Sequence, residues 1–166
     1  MRWLLPFLLL PLAAIAQEPD RQWMLDDLRA CYESAEGYDE KHLCEGQVSN
    51  RCQEVEQGGY SNLGMTSCIQ AEYAAWDVLL NDEYKKTITW SAEIDAYDAE
   101  DFPEIDKRVD TLRAAQRAWI GYRDAECLNE YAQWGAGSMR LPIGAACLLS
   151  ETAERTIELW AKRASY

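Results

Sequence analysis

The chain has 166 residues, of which 29 are acidic and 16 are basic, so its formal net charge is −13 at pH 7. A surface with this charge repels nucleic acid and anionic membranes, which excludes both as natural partners. It attracts basic proteins and speeds their encounter at low salt, although the same charge can also serve solubility alone.

Residues 1–16 have the layout of a secretory signal peptide. Arg2 supplies a positive charge, residues 3–15 are uncharged and largely apolar, and Ala14-Ile15-Ala16 predicts cleavage before Gln17. The apolar run is shorter than the roughly 20 residues that span a bilayer, and the residue directly after the cleavage point is Gln17 and not the cysteine that a lipid anchor requires. We therefore expect a periplasmic or secreted protein that is neither membrane-inserted nor lipid-anchored.

The predicted mature chain has 150 residues and a net charge near −14, because Arg2 leaves with the signal peptide. We divide it into an N-terminal helical extension, residues 17–47, and a main helical domain, residues 48–166. Within the extension, apolar spacing predicts a short helix over residues 21–35. Residues 38–64 are polar and contain four glycines, which favours a loop with one short helix near residues 45–57.

Three longer helices follow. The first is predicted over residues 66–93. The second is predicted over residues 102–134, with Asp101 as its N-cap and Pro103 in its first turn. The third is predicted from a cap at Ser138 to about Lys162. No strand-like alternation of useful length is present, so the fold class is all-α: an antiparallel bundle of three long helices plus a short N-terminal helix, stapled by disulfides.

Six cysteines remain after signal cleavage, and an even number in an exported protein favours disulfides. The last two long helices form a hairpin around residues 135–138, with one cysteine on each arm at similar distances from the turn. This arrangement predicts a bond that closes a loop of about 20 residues and contributes about 3 kcal/mol. The other four cysteines pair most simply with their neighbours. The predicted bonds are Cys127–Cys147, Cys52–Cys68 and Cys31–Cys44.

Sequence patterns of catalytic and metal sites are weak. His42 is the only histidine, no CxxC motif is present, and no GxSxG-type context surrounds a serine. Chance carboxylate pairs are inevitable among 29 acidic residues. An acidic stretch over residues 98–106 lacks the spacing of an EF-hand loop, so a solvated turn is the simpler interpretation. We predict no catalytic residue, no metal ligand and no cofactor.

The most distinctive stretch is residues 116–127, QRAWIGYRDAEC. Trp119, Tyr122 and Arg123 lie within about one helical turn of each other, and Trp134 follows at the end of the same predicted helix. Such residues either brace one helix against another, through stacking and ion pairs, or anchor a protein partner. The sequence leaves both interpretations open.

The segment LRAAQRAWIGYRDAEC, followed by GAGS, AAC and ERTIEL, resembles the lysozyme inhibitor LprI-like N-terminal domain family of bacteria. Upstream, MTSCIQAEYAAWDVLLNDEY is similar to the first helix of that family. The resemblance covers about residues 52–163. It implies an exported helical domain with characteristic cysteines at positions 68, 127 and 147, and it suggests lysozyme inhibition as one activity. It supplies no defined inhibitory residues to transfer to this chain.

These observations lead to three hypotheses. The main one is an exported, non-catalytic protein-binding domain of the periplasm or cell envelope with an unidentified protein partner. The first alternative is an inhibitor of lysozyme or another basic cell-wall hydrolase. The second alternative is an enzyme that acts on the cell wall.

Overall fold

The structure is a computed structural model that describes residues 21–165; the predicted signal peptide lies outside these residues. Within them the chain forms helices alone. In chain order these are α1 (Gln22–Ser34), α2 (Tyr38–His42), α3 (Gln47–Val55), α4 (Asn62–Asp98), α5 (Arg108–Gln133) and α6 (Arg140–Ala164). No helix in this part of the chain is both long and apolar enough to cross a membrane.

The three long helices α4, α5 and α6 form the antiparallel bundle that the sequence predicts. The most extensive packing is between α4 and α6, and the short helices α1, α2 and α3 pack on this pair. A single core cluster joins α1 to the α4–α6 pair, because Met24, Leu28 and Tyr32 pack with Trp76 and Ile157. The segment predicted as an N-terminal extension is therefore built into the main core.

Three disulfides staple this arrangement, and they are the predicted ones. Cys31–Cys44 joins α1 to the α2–α3 connection, Cys52–Cys68 joins α3 to α4, and Cys127–Cys147 joins α5 to α6. No cysteine is free. The Cα atoms of Cys127 and Cys147 are 5.4 Å apart, within the usual range for a disulfide.

Helix α4 is longer than its periodicity predicts. It begins at Asn62, because the side chain of Ser61 accepts a hydrogen bond from the backbone N–H of Gly64 and caps the helix. The loop packs closely at this point: a Cβ on Gly64 would lie 2.1 Å from the carbonyl oxygen of Gly58. Glycine, which usually weakens a helix, is required here by the close backbone approach.

The predicted start of α5 is wrong. Asp101 caps no helix, and Pro103 lies in the irregular segment before α5, which begins at Arg108. The cap comes instead from α4: the Asp95 carboxylate accepts the backbone N–H groups of Arg108 and Val109 at 2.9 and 3.0 Å. Likewise Ser138, the predicted cap of α6, accepts a hydrogen bond from the Asn62 side chain instead.

Candidate functional site

Two of the four predicted site residues lie between helices. Trp119 is partly buried against Leu80, Leu112 and Leu159. The guanidinium of Arg123 lies 5.1 Å from the centre of the Trp119 ring and 5.8 Å from that of Tyr73 on α4, within cation–π range. Arg123 therefore braces α5 against α4, as the first of the two interpretations predicts.

The other two predicted residues are at the surface. Tyr122 is 55% exposed, and Trp134, which follows the last residue of α5, is 45% exposed. Twelve residues of helix separate them, about 18 Å along the axis. The structure therefore does not assemble the four residues into one patch, and each of the exposed pair belongs to a different part of the surface.

Tyr122 instead lies beside a row of glutamates. Along α6, three acidic residues recur at spacings of three and four and therefore share one face of the helix. A further glutamate on α5 stands one turn after Tyr122. We call this region, together with the tyrosine of α2 that contacts it, the acidic face; it consists of Tyr38, Tyr122, Glu126, Glu151, Glu154 and Glu158.

The carboxylates of the acidic face repel one another. Burial raises the pKa of Glu151, and the neighbouring charges of Glu126, Glu154 and Glu158 raise it further. The pKa of Tyr122 is also raised, first by the charge of Glu151 and then by burial and by Glu126. No salt bridge to Glu126 or Glu151 occurs among residues 21–165. Glu158, in contrast, pairs with Arg155 at 2.8 Å. Glu126 and Glu151 are therefore the two carboxylates of this face that have no paired cation among the described residues.

Helix α2 closes one side of the acidic face. The hydroxyl of Tyr38 donates a hydrogen bond of 2.5 Å to Oε1 of Glu154, and this bond is the main reason that the pKa of Tyr38 is raised to about 12. Nε2 of His42 lies 3.2 Å from Oε2 of the same glutamate. Because Cys44 ties the end of α2 to α1, these two side chains are held against α6.

Among the described residues, one group has the spacing of metal ligands: Cys52, Glu56 and Cys68. Both cysteines are consumed by their disulfide, and the Glu56 carboxylate is held by the Arg21 guanidinium, which lowers the pKa of Glu56 through a hydrogen bond. This group is therefore explained by the fold.

Comparison with known proteins identifies the family. The family model described as "Lysozyme inhibitor LprI" matches residues 52–159. The chain belongs to the LprI family. It is also 35% identical over 103 residues to an uncharacterized protein of Rhizobium meliloti (strain 1021), covering 60% of this chain and 71% of the relative. No solved structure matches the chain.

The part matched by the LprI family model contains α4, α5 and most of α6, and with them five of the six acidic-face residues. Tyr38 and His42 precede it. The α2 side of the acidic face is thus an addition outside the matched part.

Sequence reasoning missed the acidic face because it treated the acidic residues as one solvated population. The spacing of Glu151, Glu154 and Glu158 was readable as one helix face. Their meeting with Glu126 across the α5–α6 hairpin depends on the register that the Cys127–Cys147 bond and the hairpin turn impose.

Proposed function

We propose that the protein is an exported, non-catalytic binding domain that inhibits a basic cell-wall hydrolase of the lysozyme type by docking its acidic face on that enzyme. The observation that carries the proposal is the electrostatics of Glu151, whose pKa is raised by burial and by three neighbouring glutamates. Lysine and arginine side chains of a partner would offset the repulsion among these carboxylates, and this would favour association at the acidic face.

Three further facts support this proposal. The family to which the chain belongs is described as a lysozyme inhibitor family. Three disulfides are typical of proteins that fold in an oxidising compartment outside the cytoplasm. All six cysteines are bonded, which leaves no thiol nucleophile, and this favours binding over catalysis.

Exposed aromatic rings give the acidic face anchors as well as charge. Tyr122 is exposed beside Glu126 and Glu151, and Tyr38 is held at the opposite side by Glu154. Tyrosine is enriched at the energetic centres of protein interfaces, because its ring buries much apolar area while its hydroxyl keeps a hydrogen bond. A cationic patch of a partner would meet carboxylates flanked by rings.

The test uses the purified mature protein, lysozyme and a cell-wall lysis assay at low salt. The wild-type protein should suppress lysis, and the double variant Glu126→Gln/Glu151→Gln should weaken inhibition about tenfold or more, since removing interfacial charges lowers association rates and affinity. Neither glutamate makes an ion pair within residues 21–165, so the fold should persist.

The matched control is Glu93→Gln/Glu104→Gln, which removes the same charge from exposed positions elsewhere. It should change inhibition by less than about twofold, because distant charges act only through long-range attraction, which salt screens. Undiminished lysis at a large molar excess of protein would refute the lysozyme proposal. Equal weakening by both double variants would show that total charge, and not the acidic face, determines binding.

The partner can also be an envelope protein other than a hydrolase. In that case lysis proceeds normally while affinity capture from periplasmic extract returns one reproducible protein whose retention the Glu126→Gln/Glu151→Gln variant abolishes. That outcome would keep the acidic face as the binding surface and replace lysozyme as its partner.

A further inference from the structure

A cavity of about 500 Å³ opens between three helices at the end of the bundle opposite the Cys127–Cys147 staple. Its walls come from the C-terminal half of α4, the N-terminal turns of α5 and the C-terminal turns of α6. This volume is within the range of small-molecule sites. The lining residues that matter for its chemistry are Trp90, Ser91, Arg108, Leu112, Arg155 and Lys162.

The charge of the cavity is opposite to that of the protein. Three cationic side chains and no acidic one line it, in a chain whose net charge is −13. Two of the three are already paired with carboxylates: Arg108 with Asp95 and Asp98 at 3.3 and 2.7 Å, and Arg155 with Glu158 at 2.8 Å. Lys162, in contrast, makes no ion pair with the described residues and remains available to a ligand.

Arg155 gives the strongest indication of a ligand in this cavity. The residue is only 8% exposed. Its Nε donates to Gln116 at 3.0 Å and its Nη1 to Glu158 at 2.8 Å, whereas its buried Nη2 has no hydrogen-bond partner among the described residues. A buried donor without a partner costs on the order of 1–3 kcal/mol.

The rest of the lining suits a ligand with an apolar body. Ser91 is 3% exposed and contributes a hydroxyl group to the lining. Trp90 and Leu112 supply apolar surface beside the charged groups. Sites for small organic ligands have this composition: largely apolar walls with a few polar groups that fix orientation.

We propose that this cavity binds a small organic carboxylate with an apolar body. The carboxylate accepts hydrogen bonds from Nη2 of Arg155 and from Lys162, in the charge-assisted geometry that guanidinium groups favour. The apolar body packs against Trp90 and Leu112. This site adjoins the acidic face, because Arg155 also bonds to Glu158, but it does not depend on the proposed inhibition of a hydrolase.

The test is a titration of the ¹⁵N-labelled mature protein with benzoate, followed by NMR, with benzamide as the neutral analogue of the same shape. We expect saturable shifts of the Trp90 indole N–H and of amides that line the cavity, and at least tenfold weaker binding of benzamide, since a charged acceptor is lost. Absence of saturable shifts, or equal binding of the two compounds, would overturn the proposal.

Two lysine variants separate the cavity from general charge effects. Lys162→Gln should raise the benzoate dissociation constant at least fivefold, while Lys85→Gln, which removes an exposed lysine of α4, should leave it within twofold. Equal weakening by both variants would show nonspecific attraction and refute the site. Benzoate binding should persist in Glu126→Gln/Glu151→Gln, so failure of the cavity and failure of the acidic face are distinguishable.

Discussion

Helices α5 and α6 are nearly equal in length but differ in how they are held. Helix α6 has 25 residues, ten of them buried, and packs along α4. Helix α5 has 26 residues and only three buried ones, Leu112, Gln116 and Cys127. The apolar core therefore fixes α6, whereas α5 lies on the surface of the bundle with most of its side chains in solvent.

A few specific bonds fix α5 in place of a core. Asp95 caps its first turn, Gln116 accepts a hydrogen bond from Arg155 in the middle, and Cys127 joins it to α6 near its end. Because these separate bonds hold α5, most residues on its outer surface do not pack against other helices. Tyr122 and Glu126 lie on this outer surface, where the proposed partner would dock.

The largest expected effect comes from two isoleucines that occupy the contrasting helices. Ile157 of α6 is fully buried and Ile120 of α5 is 41% exposed. We expect Ile157→Ala to lower the free energy of unfolding by about 3–4 kcal/mol, because it leaves a cavity in the core, and Ile120→Ala by less than about 1 kcal/mol. Urea denaturation measures both. Similar losses at the two positions would contradict the difference between the helices.

Removal of the α5–α6 disulfide should have the next largest effect. In the chain-entropy account, Cys127→Ser/Cys147→Ser costs about 3 kcal/mol, since the bond closes a loop of about 20 residues. Hydrogen exchange should then accelerate in the C-terminal half of α5 more than in α1. The control Cys31→Ser/Cys44→Ser should reverse this pattern, with the faster exchange in α1 and α2.

Replacement of the interhelix cap tests the other end of α5. Asp95→Asn should lower the free energy of unfolding by about 1–2 kcal/mol, because the charged cap of two backbone N–H groups is lost. Asp101→Asn is the matched control, since Asp101 is exposed and caps nothing; it should change stability by less than about 0.5 kcal/mol. A larger loss at Asp101 would restore the helix start that the sequence predicts.

The Asp95 cap also has a pH signature. Burial alone would raise the pKa of Asp95, but the backbone N–H groups of Val109 and Arg108 and the Arg108 side chain together hold it below its usual value. A carboxyl group with a lowered native pKa stabilises the fold above its unfolded pKa and loses that contribution as pH falls through the native one. The stability difference between wild type and Asp95→Asn should therefore shrink below about pH 4.

Local patterns were enough to predict several parts of this fold. The cysteine spacing predicted the three disulfides, and the Gly-rich break at residues 135–137 predicted the α5–α6 hairpin. These features depend on neighbours in sequence, so the chain itself carries their signal. The short helix α2 was missed because its five residues are too few for periodicity to be visible.

The buried acids of α4 could not be recognised in this way. Asp95 caps α5, and the fully buried Glu72 accepts the backbone N–H groups of Gly46 and Ser49 at the start of α3. Each acts on a helix 13 or more residues away. In a chain with 29 acidic residues, nothing local separates such a structural carboxylate from a solvated one. The acidic face was missed for the same reason, since no local pattern distinguishes its carboxylates from solvated ones.

The smallest expected effect tests whether Glu151 is repelled by the neighbouring carboxylates of α5 and α6. Because the native pKa of Glu151 is raised, its contribution to stability is full below its unfolded pKa and is lost as pH rises through the native one. Glu151→Gln should therefore increase the free energy of unfolding at pH 7 by about 0.5 kcal/mol, the scale of partly exposed charge pairs.

At pH 3.5, where the carboxyl group is largely protonated, Glu151→Gln and wild type should unfold at nearly the same urea concentration. Glu93→Gln, which removes a charge from an exposed position on α4, should show no comparable gain at pH 7. If Glu151→Gln is less stable than wild type at pH 7, the carboxylate is satisfied within the fold. A cationic partner would then relieve no repulsion at Glu151, and the proposal that the acidic face binds a basic protein would lose its main support. A gain in stability coupled to weaker inhibition would instead show that α5 and α6 tolerate an unfavourable charge cluster in order to bind.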